Sequence, residues 1–289
     1  MQGLVVAAYG KRYEVELSDA IDNSTRRISC VTRGKKTDLA CGDIVTIKLT
    51  DSAEGVVESS APRKTLLYRS SVIKSKILAA NVTQVVIVLA TQPSFYEALL
   101  NRCLVAAEAA NIKPLIVLNK CDLTDASDAK EKLKLYEALD YQVVHLSAKQ
   151  DISALKPYLS NHQSVLVGQS GMGKSTIINA LLPDQNVRTQ IMSEALDSGK
   201  HTTTAAHLYH INSHSSLIDS PGLQEFGLHH LSTEQIEMAF IELRPYLGKC
   251  RFNNCKHLHE PDCAVLNAVK AGEISALRLG FYQDLAQET

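Results

Sequence analysis

One loop narrows what this chain can fold into. Gly168, Gln169, Ser170, Gly171, Met172, Gly173, Lys174 and Ser175 satisfy the pattern GxxxxGK[ST]. The loop stands between an apolar run at 165–167 and a helix-length segment at 176–182. Strand, loop and helix in that order belong to a parallel α/β sheet. The glycines let the backbone curl with its N–H groups inward, and the helix that follows adds its positive end, so residues 168–176 through Thr176 are expected to surround phosphates. Lys174 then supplies a point charge to the β- and γ-phosphates, and Ser175 a hydroxyl to Mg²⁺.

The flanking sequence carries the sheet that such a loop needs. Apolar runs at 84–89, 114–118, 143–146 and 165–167 alternate with helix-length segments at 96–110 and 129–139, and further strands are expected at 207–211 and 216–218. Alternation of this kind gives a parallel sheet covered on both faces. Residues 1–60 differ: runs at 3–6, 12–17, 27–32 and 43–49 are short, rich in β-branched residues and punctuated by Gly, Asp and Asn. Four or five such strands predict a small barrel, with an OB-fold as the leading candidate. Pro62 closes this segment, residues 63–80 read as a polar linker, and the chain turns helical after Leu231. The expected division is 1–62 for the barrel, 63–80 for the linker, 81–231 for the nucleotide domain and 232–289 for a helical C-terminal domain.

Two further loops select the base. Asn119, Lys120, Cys121 and Asp122 form NKxD directly after the strand at 114–118, and Ser147, Ala148 and Lys149 end the next strand. In this reading the Asp122 carboxylate accepts from guanine N1–H and the 2-amino group. Asn119 meets the base's other edge, the Lys120 stem covers the ring, and a backbone amide of the 147–149 loop reaches O6. Adenine lacks the 2-amino group and presents an acceptor at N1. Sites built to hydrogen-bond a group reject analogues lacking it by about 10⁴–10⁵. GTP is therefore the expected substrate and GDP the product. Asp219 and Gly222 satisfy DxxG after the strand at 216–218. Asp219 is expected to hold Mg²⁺ through water, and the Gly222 amide to meet the γ-phosphate. One of Thr202, Thr203 and Thr204 completes the Mg²⁺ shell, with Thr203 favoured.

These motifs stand in a rotated order. Ordinary GTPases run phosphate loop, switch threonine, DxxG, NKxD, SAK, whereas here NKxD and SAK precede the phosphate loop. The sheet still closes, because strand adjacency does not depend on where the termini fall. With a β-rich segment before it and a cysteine cluster after it, the chain resembles the circularly permuted GTPases of the RsgA (YjeQ) family. The resemblance covers essentially the whole chain. It rests on 168–176, 201–204, Asp219 to Gly222 with Phe226, Gly227 and Leu228, and the cysteines between 250 and 263. It implies an OB-fold N-domain, a permuted GTPase domain and a zinc domain. It also implies a role in late maturation of the small (30S) ribosomal subunit, contact with its 16S rRNA, and hydrolysis stimulated by that subunit.

The hydrolytic machinery departs from the usual pattern. Leu223 occupies the place after DxxG where many GTPases put a water-orienting glutamine, and Gln224 lies one residue on. His201, beside the threonines, is the candidate in its stead, since an imidazole orients water or accepts a proton. The resemblance implies the same role for a histidine at this place. Slow intrinsic turnover is expected. The competing reading is a GTP-gated adaptor that binds a protein partner and hydrolyses little.

Cys250, Cys255, His257 and Cys263 offer three thiolates and an imidazole within a short stretch. Soft sulfur with nitrogen favours Zn²⁺, and four protein ligands make a closed, structural site. His259 competes as the nitrogen ligand, although His257 fits the CxH spacing of the resembled family.

Composition bounds the partners. The seven cysteines comprise this trio and four single residues, which fits a reducing compartment. The longest apolar stretch, 85–90, is too short to span a bilayer, and the N-terminus carries no signal pattern, so a cytoplasmic protein without membrane contact is expected. A formal net charge of −1 excludes nucleic-acid binding by overall charge alone. Residues 1–75 carry twelve Lys/Arg against nine Asp/Glu, with Arg26, Arg27, Arg33, Lys35 and Lys36 in one stretch. That stretch is either a contact for RNA phosphates on the barrel or a solvated strand edge. Tyr9 and Tyr13 stack on bases or fill the barrel core. DNA is not expected as a partner, and the chain is expected to be a monomer.

Overall fold

The structure is a computed structural model and describes residues 1–18, 25–33, 39–70, 75–123, 126–183, 206–219 and 228–288. The N-terminal segment forms β1 (Gln2–Tyr9), β2 (Arg12–Ser18), β3 (Thr25–Thr32), β4 (Ile44–Leu49) and β5 (Glu54–Ser60). They pair in the order β1-β2-β3-β5-β4, and β1 closes the ring on β4 from Gln2 opposite Thr46 to Leu4 opposite Ile44. Only β3 and β5 run parallel among these pairs. This is the five-stranded barrel of an OB-fold. Period-two alternation decides which side chains fill it: in β3, Ile28 and Cys30 point inward while Arg26, Arg27 and Ser29 are exposed. Val5, Tyr13, Val15, Val45 and Ile47 complete a core of its own. Tyr13 is 1% exposed, so it is barrel core and not a stacking platform.

Residues 63–80 contain a hairpin, β6 (Leu66–Ser70) with β7 (Ser75–Ala80), rather than the polar linker expected from sequence. Leu67, Leu78 and Ala79 are buried in the core of the following domain. Short apolar runs at each end of this segment, separated by Arg69 to Lys76, average out as polar, which is why composition concealed the strands.

The nucleotide domain follows with β8 (Gln84–Ala90), α1 (Glu97–Ala109), β9 (Lys113–Asn119), α2 (Ala126–Glu137), β10 (Val143–His145), α3 (Lys156–Leu159), β11 (Gln163–Val167), α4 (Lys174–Leu181), β12 (Ala206–Asn212) and β13 (Ser215–Asp219). Every residue of β8 is buried, as expected for a central parallel strand covered on both faces. The strand order is β10-β9-β8-β11-β13-β12, parallel except for β12. From β8 the chain moves outward to β9 and β10, then returns to β11 on the other side of β8. The sheet thus has its topological switch point between β8 and β11, where α/β sheets open a crevice at the carboxyl ends of their strands. β12 also pairs with β1 of the barrel, Ala7 opposite His207 and Ala8 opposite Ala206, so one eleven-stranded sheet runs through both domains.

The C-terminal segment adds α5 (Thr233–Ala239), α6 (Ala264–Lys270) and α7 (Ala276–Glu288). A capping box starts α5: the Ser232 hydroxyl accepts from the Gln235 amide, and the Gln235 side chain accepts from the Ser232 amide. Ile236, Phe240, Leu243, Val265 and Tyr282 are buried in the same cluster as the nucleotide domain, so these helices share its core. Arg278 of α7, 1% exposed, sits at the junction. It donates to Glu242 at 2.5 Å and to Asn101 of α1, and its guanidinium lies 4.6 Å from the Phe240 ring centre.

Candidate nucleotide site

The carboxyl ends of β9, β10, β11 and β13 point to one edge of the sheet, and the four motifs continue from them. The phosphate loop leaves β11 and enters α4 at Lys174. Two of its glycines are required by geometry. Gly168 has φ 141°, and a Cβ there would strike the Val88 carbonyl; Gly173 has φ 92° and lies against the Asn119 side chain, leaving no room for one. Lys174 Nζ donates to the carbonyls of Gly168 at 2.5 Å and Gln169 at 2.7 Å, which keeps the ammonium folded over its own loop. Met172 is buried beneath the turn. Leu166 of β11 stands opposite Asp219 of β13, so the DxxG aspartate begins beside the phosphate loop.

The base loops meet the phosphate loop through one buried amide. Asn119, 2% exposed, donates from Nδ2 to the Met172 carbonyl at 2.9 Å and accepts at Oδ1 from the Ala148 N–H at 3.0 Å. Both ends of the side chain are thereby engaged by protein. The NKxD and SAK patterns place Asn119 at the edge of the base and a 147–149 amide at O6. The structure uses Asn119 and the Ala148 amide to bind three loops together. Nothing in the tetrapeptide foretold this, because it depends on the close passage of Gly173.

Lys120 follows in a left-handed conformation, φ 63°, which turns the loop sharply out of β9. The Cys121 thiol donates to the Leu118 carbonyl at 3.2 Å, and Cys121 does not line the pocket that its neighbours Lys120 and Asp122 enter. Asp122 is exposed, and its carboxyl is held below the ordinary carboxylate range, first by the Ser147 hydroxyl and then by its own backbone N–H. Asn119, Lys120, Asp122, Leu123, Ser147, Lys149, Gly173 and Thr176 line a single pocket of about 170 Å³. An ionised acceptor with lysine stems around it therefore opens directly onto the start of α4, the chemistry of a nucleobase beside a phosphate site. Ser170, Gly171 and Ser175 belong to the same loop and helix start. His201, Thr202, Thr203, Thr204, Gly222, Leu223 and Gln224 lie outside the described residues.

The cysteine cluster lies C-terminal to the nucleotide motifs, within residues 250–263. One donor atom from each of Cys250, Cys255, His257 and Cys263 lies within 4.8 Å of the others, and His259 is not among them. His257 Nδ1 faces the Cys263 sulfur at 3.1 Å and the Cys250 sulfur at 3.6 Å, while Nε2 meets Glu237 of α5 at 2.5 Å. A carboxylate on Nε2–H leaves the Nδ1 lone pair directed at the sulfurs, the tautomer that a metal needs. The Ala264 and Leu266 amides donate to the sulfurs of Cys250 and Cys263. This donor set can hold a metal ion. Glu237 itself was not foreseen, since it lies well upstream of the cysteines in another helix.

Residues 60–229 match the family described as RsgA GTPase. The chain belongs to the RsgA GTPase family. A curated relative from Nitrosospira multiformis, named small ribosomal subunit biogenesis GTPase RsgA, is 52% identical over 99% of this chain and 90% of its own length. One of the same name from Paraburkholderia phytofirmans is 49% identical over 99% and 92%. Among solved structures, YjeQ from Thermotoga maritima superposes with a TM-score of 0.78 at 30% identity, covering 99% of this chain and 97% of its own. YloQ, described as a circularly permuted GTPase, gives 0.73 at 29% identity over 99% and 94%. The RsgA family thus accounts for the rotated motif order, and this member is a GTP-hydrolysing P-loop enzyme with an N-terminal barrel and a C-terminal Cys₃His cluster.

Proposed function

We propose that this GTPase assists late maturation of the small ribosomal subunit, hydrolysing GTP to GDP and phosphate when that subunit is bound. The observation that carries the site assignment is the shared pocket, in which Asp122 and Ser147 of the base loops face Gly173 and Thr176 of the phosphate loop. Asp122 pairs with guanine N1–H and the 2-amino group, and the Lys120 and Lys149 stems flank the ring. The amides of residues 168–176 and the Lys174 ammonium receive the phosphates once Lys174 leaves the carbonyls it occupies. Ser175, Thr203 and, through water, Asp219 would hold Mg²⁺, which supplies charge neutralisation on the β- and γ-phosphates. His201 orients the attacking water in line with the γ-phosphate, Thr203 and the Gly222 amide fix that phosphate, and Lys174 stabilises charge on the oxygens of the leaving GDP.

The ribosomal assignment is supported by the names carried by relatives at about half identity over nearly the whole chain. Arg26 and Arg33 are exposed on the barrel, whereas Arg27 lies 3.7 Å from both Glu14 and Glu16; the exposed pair suits 16S rRNA phosphates. Cys250, Cys255, His257 and Cys263 would hold a structural Zn²⁺. No described helix is long and apolar enough to cross a membrane. The reading places a monomer in the cytoplasm. Multiple-turnover hydrolysis measured alone, with small subunits and with large subunits tests it: only small subunits should raise the rate. Equal rates in all three would favour the GTP-gated adaptor that Leu223 suggests.

A further inference from the structure

The sheet order places one more loop at the nucleotide edge. β8 lies between β9, which carries the base loop, and β11, which carries the phosphate loop. The segment leaving β8, residues 91–96, therefore emerges between the two, and it touches both. The Thr91 hydroxyl donates to the Lys120 carbonyl at 3.1 Å, and Lys120 Nζ donates back to the Gln92 carbonyl at 2.6 Å. On the other side, the Tyr96 N–H donates to Gln169 Oε1 at 3.1 Å, and Pro93 stands directly behind Gly171. The far end of the segment is fixed as well, because Tyr96 caps α1, whose Asn101 is bonded to Tyr136 and Arg278.

We propose that residues 91–96 are a positioning strut that sets the separation of the base loop from the phosphate loop, with the Tyr96–Gln169 hydrogen bond as its phosphate-side clamp. This rests on the nucleotide-site reading above. GTP and GDP are two-ended ligands: the base and the phosphates are gripped by different loops and joined by a ribose of fixed length. Binding at the second end is then intramolecular, and its strength depends on how well the loops are held at the matching distance beforehand. Without the clamp, that ordering must be supplied at binding. Asn119 joins the loops from beneath, and the strut holds them from the solvent side.

The distinction between a strut and a general packing element is readable in ligands of different reach. The probes are a fluorescent GDP analogue, which spans both loops, and guanosine as its competitor, which reaches the base loop only. Gln169→Ala removes the acceptor, Gln169→Met removes it while keeping the side-chain length, and Tyr96→Pro removes the donor N–H. Each should weaken the GDP analogue about 3- to 10-fold, the range for one lost hydrogen bond. Guanosine competition should stay within about twofold. The Gln169→Ala, Tyr96→Pro double variant should lose no more than the weaker-binding single one, since both remove the same bond. Unchanged GDP affinity in both Gln169 variants, equal losses for guanosine, or additive losses in the double variant would overturn the strut. Wild-type protein that fails to bind the GDP analogue, or binds it as well after Asp122→Ala, would instead overturn the nucleotide-site reading itself.

Discussion

Glu16 of the barrel and His210 of the nucleotide domain meet at 2.6 Å, across the line where β1 pairs with β12. The hydrogen bond between them raises the His210 pKa above 6.5 and, helped by Arg27, lowers that of Glu16 below 4.5. A raised histidine contributes stability that is complete below its unfolded value and disappears as pH climbs through the folded one. A lowered carboxylate contributes above its unfolded value and loses the contribution as pH falls. Both conditions hold between about 4.5 and 6.5, so the domain contact is strongest there. The difference in melting temperature between wild type and His210→Gln should be largest near pH 6 and shrink steadily toward pH 8.5. It should be modest throughout, because His210 is partly exposed. A gap that widens with pH would mean that His210 acts through packing and not through charge.

Replacing Asp122 with Asn should reduce GTP affinity by at least about 100-fold, because an amide presents a donor to the N1–H and amino group of guanine. The same change suits xanthine, whose C2 carbonyl accepts. Calorimetric titration with GTP, XTP and ATP checks the exchange of preference, and an unaltered order of affinities would remove Asp122 from base recognition.

His201→Ala should depress subunit-stimulated hydrolysis by about 10²- to 10⁴-fold, the range for a removed general base, while GTP binding stays close to wild type. Stimulated single-turnover rates decide the matter. Undiminished turnover would assign the water to another group.

Glu237 supports His257 from outside the ligand set. Glu237→Gln should speed loss of metal to a chromogenic chelator by about 10- to 100-fold without changing the helical content of the folded protein. Equal release rates would show that the Nδ1 orientation is set elsewhere, for example by the Gln283 side chain on the His257 carbonyl.

Arg278 is a buried cation with a buried anion beside it, Glu242, and Asn101 completes its contacts. Arg278→Ala should cost about 3–5 kcal/mol in urea unfolding, mainly because Glu242 is left uncompensated. Arg278→Met combined with Glu242→Leu should recover most of that loss. Equal destabilisation in the single and double variants would shift the cause from charge to packing.

Much of this was legible in the sequence because local rules determine it. The phosphate loop needs its glycines for backbone torsion and the strand runs need apolar residues on both faces, so both declared themselves in order. The five-strand barrel was readable from short β-branched runs, although β5 and the hairpin at 66–80 were not. Their apolar residues are few and become meaningful only against a surface supplied by another segment. The same limit explains Asn119, Glu237 and residues 91–96. Each acts through a neighbour distant in the chain, and no spacing rule connects Asn119 to Met172, Glu237 to His257 or Tyr96 to Gln169.

The continuous sheet also governs how copies of this chain can meet. The flanks of the six strands in the nucleotide domain are the usual templates for unwanted strand addition, and both are blunted: β10 offers only three residues, and the opening residues of β12 are already taken by β1. Loosening the barrel would uncover that flank. Fibrous or amorphous association on mild heating should therefore begin with the barrel's departure, well before the central strands lose their order.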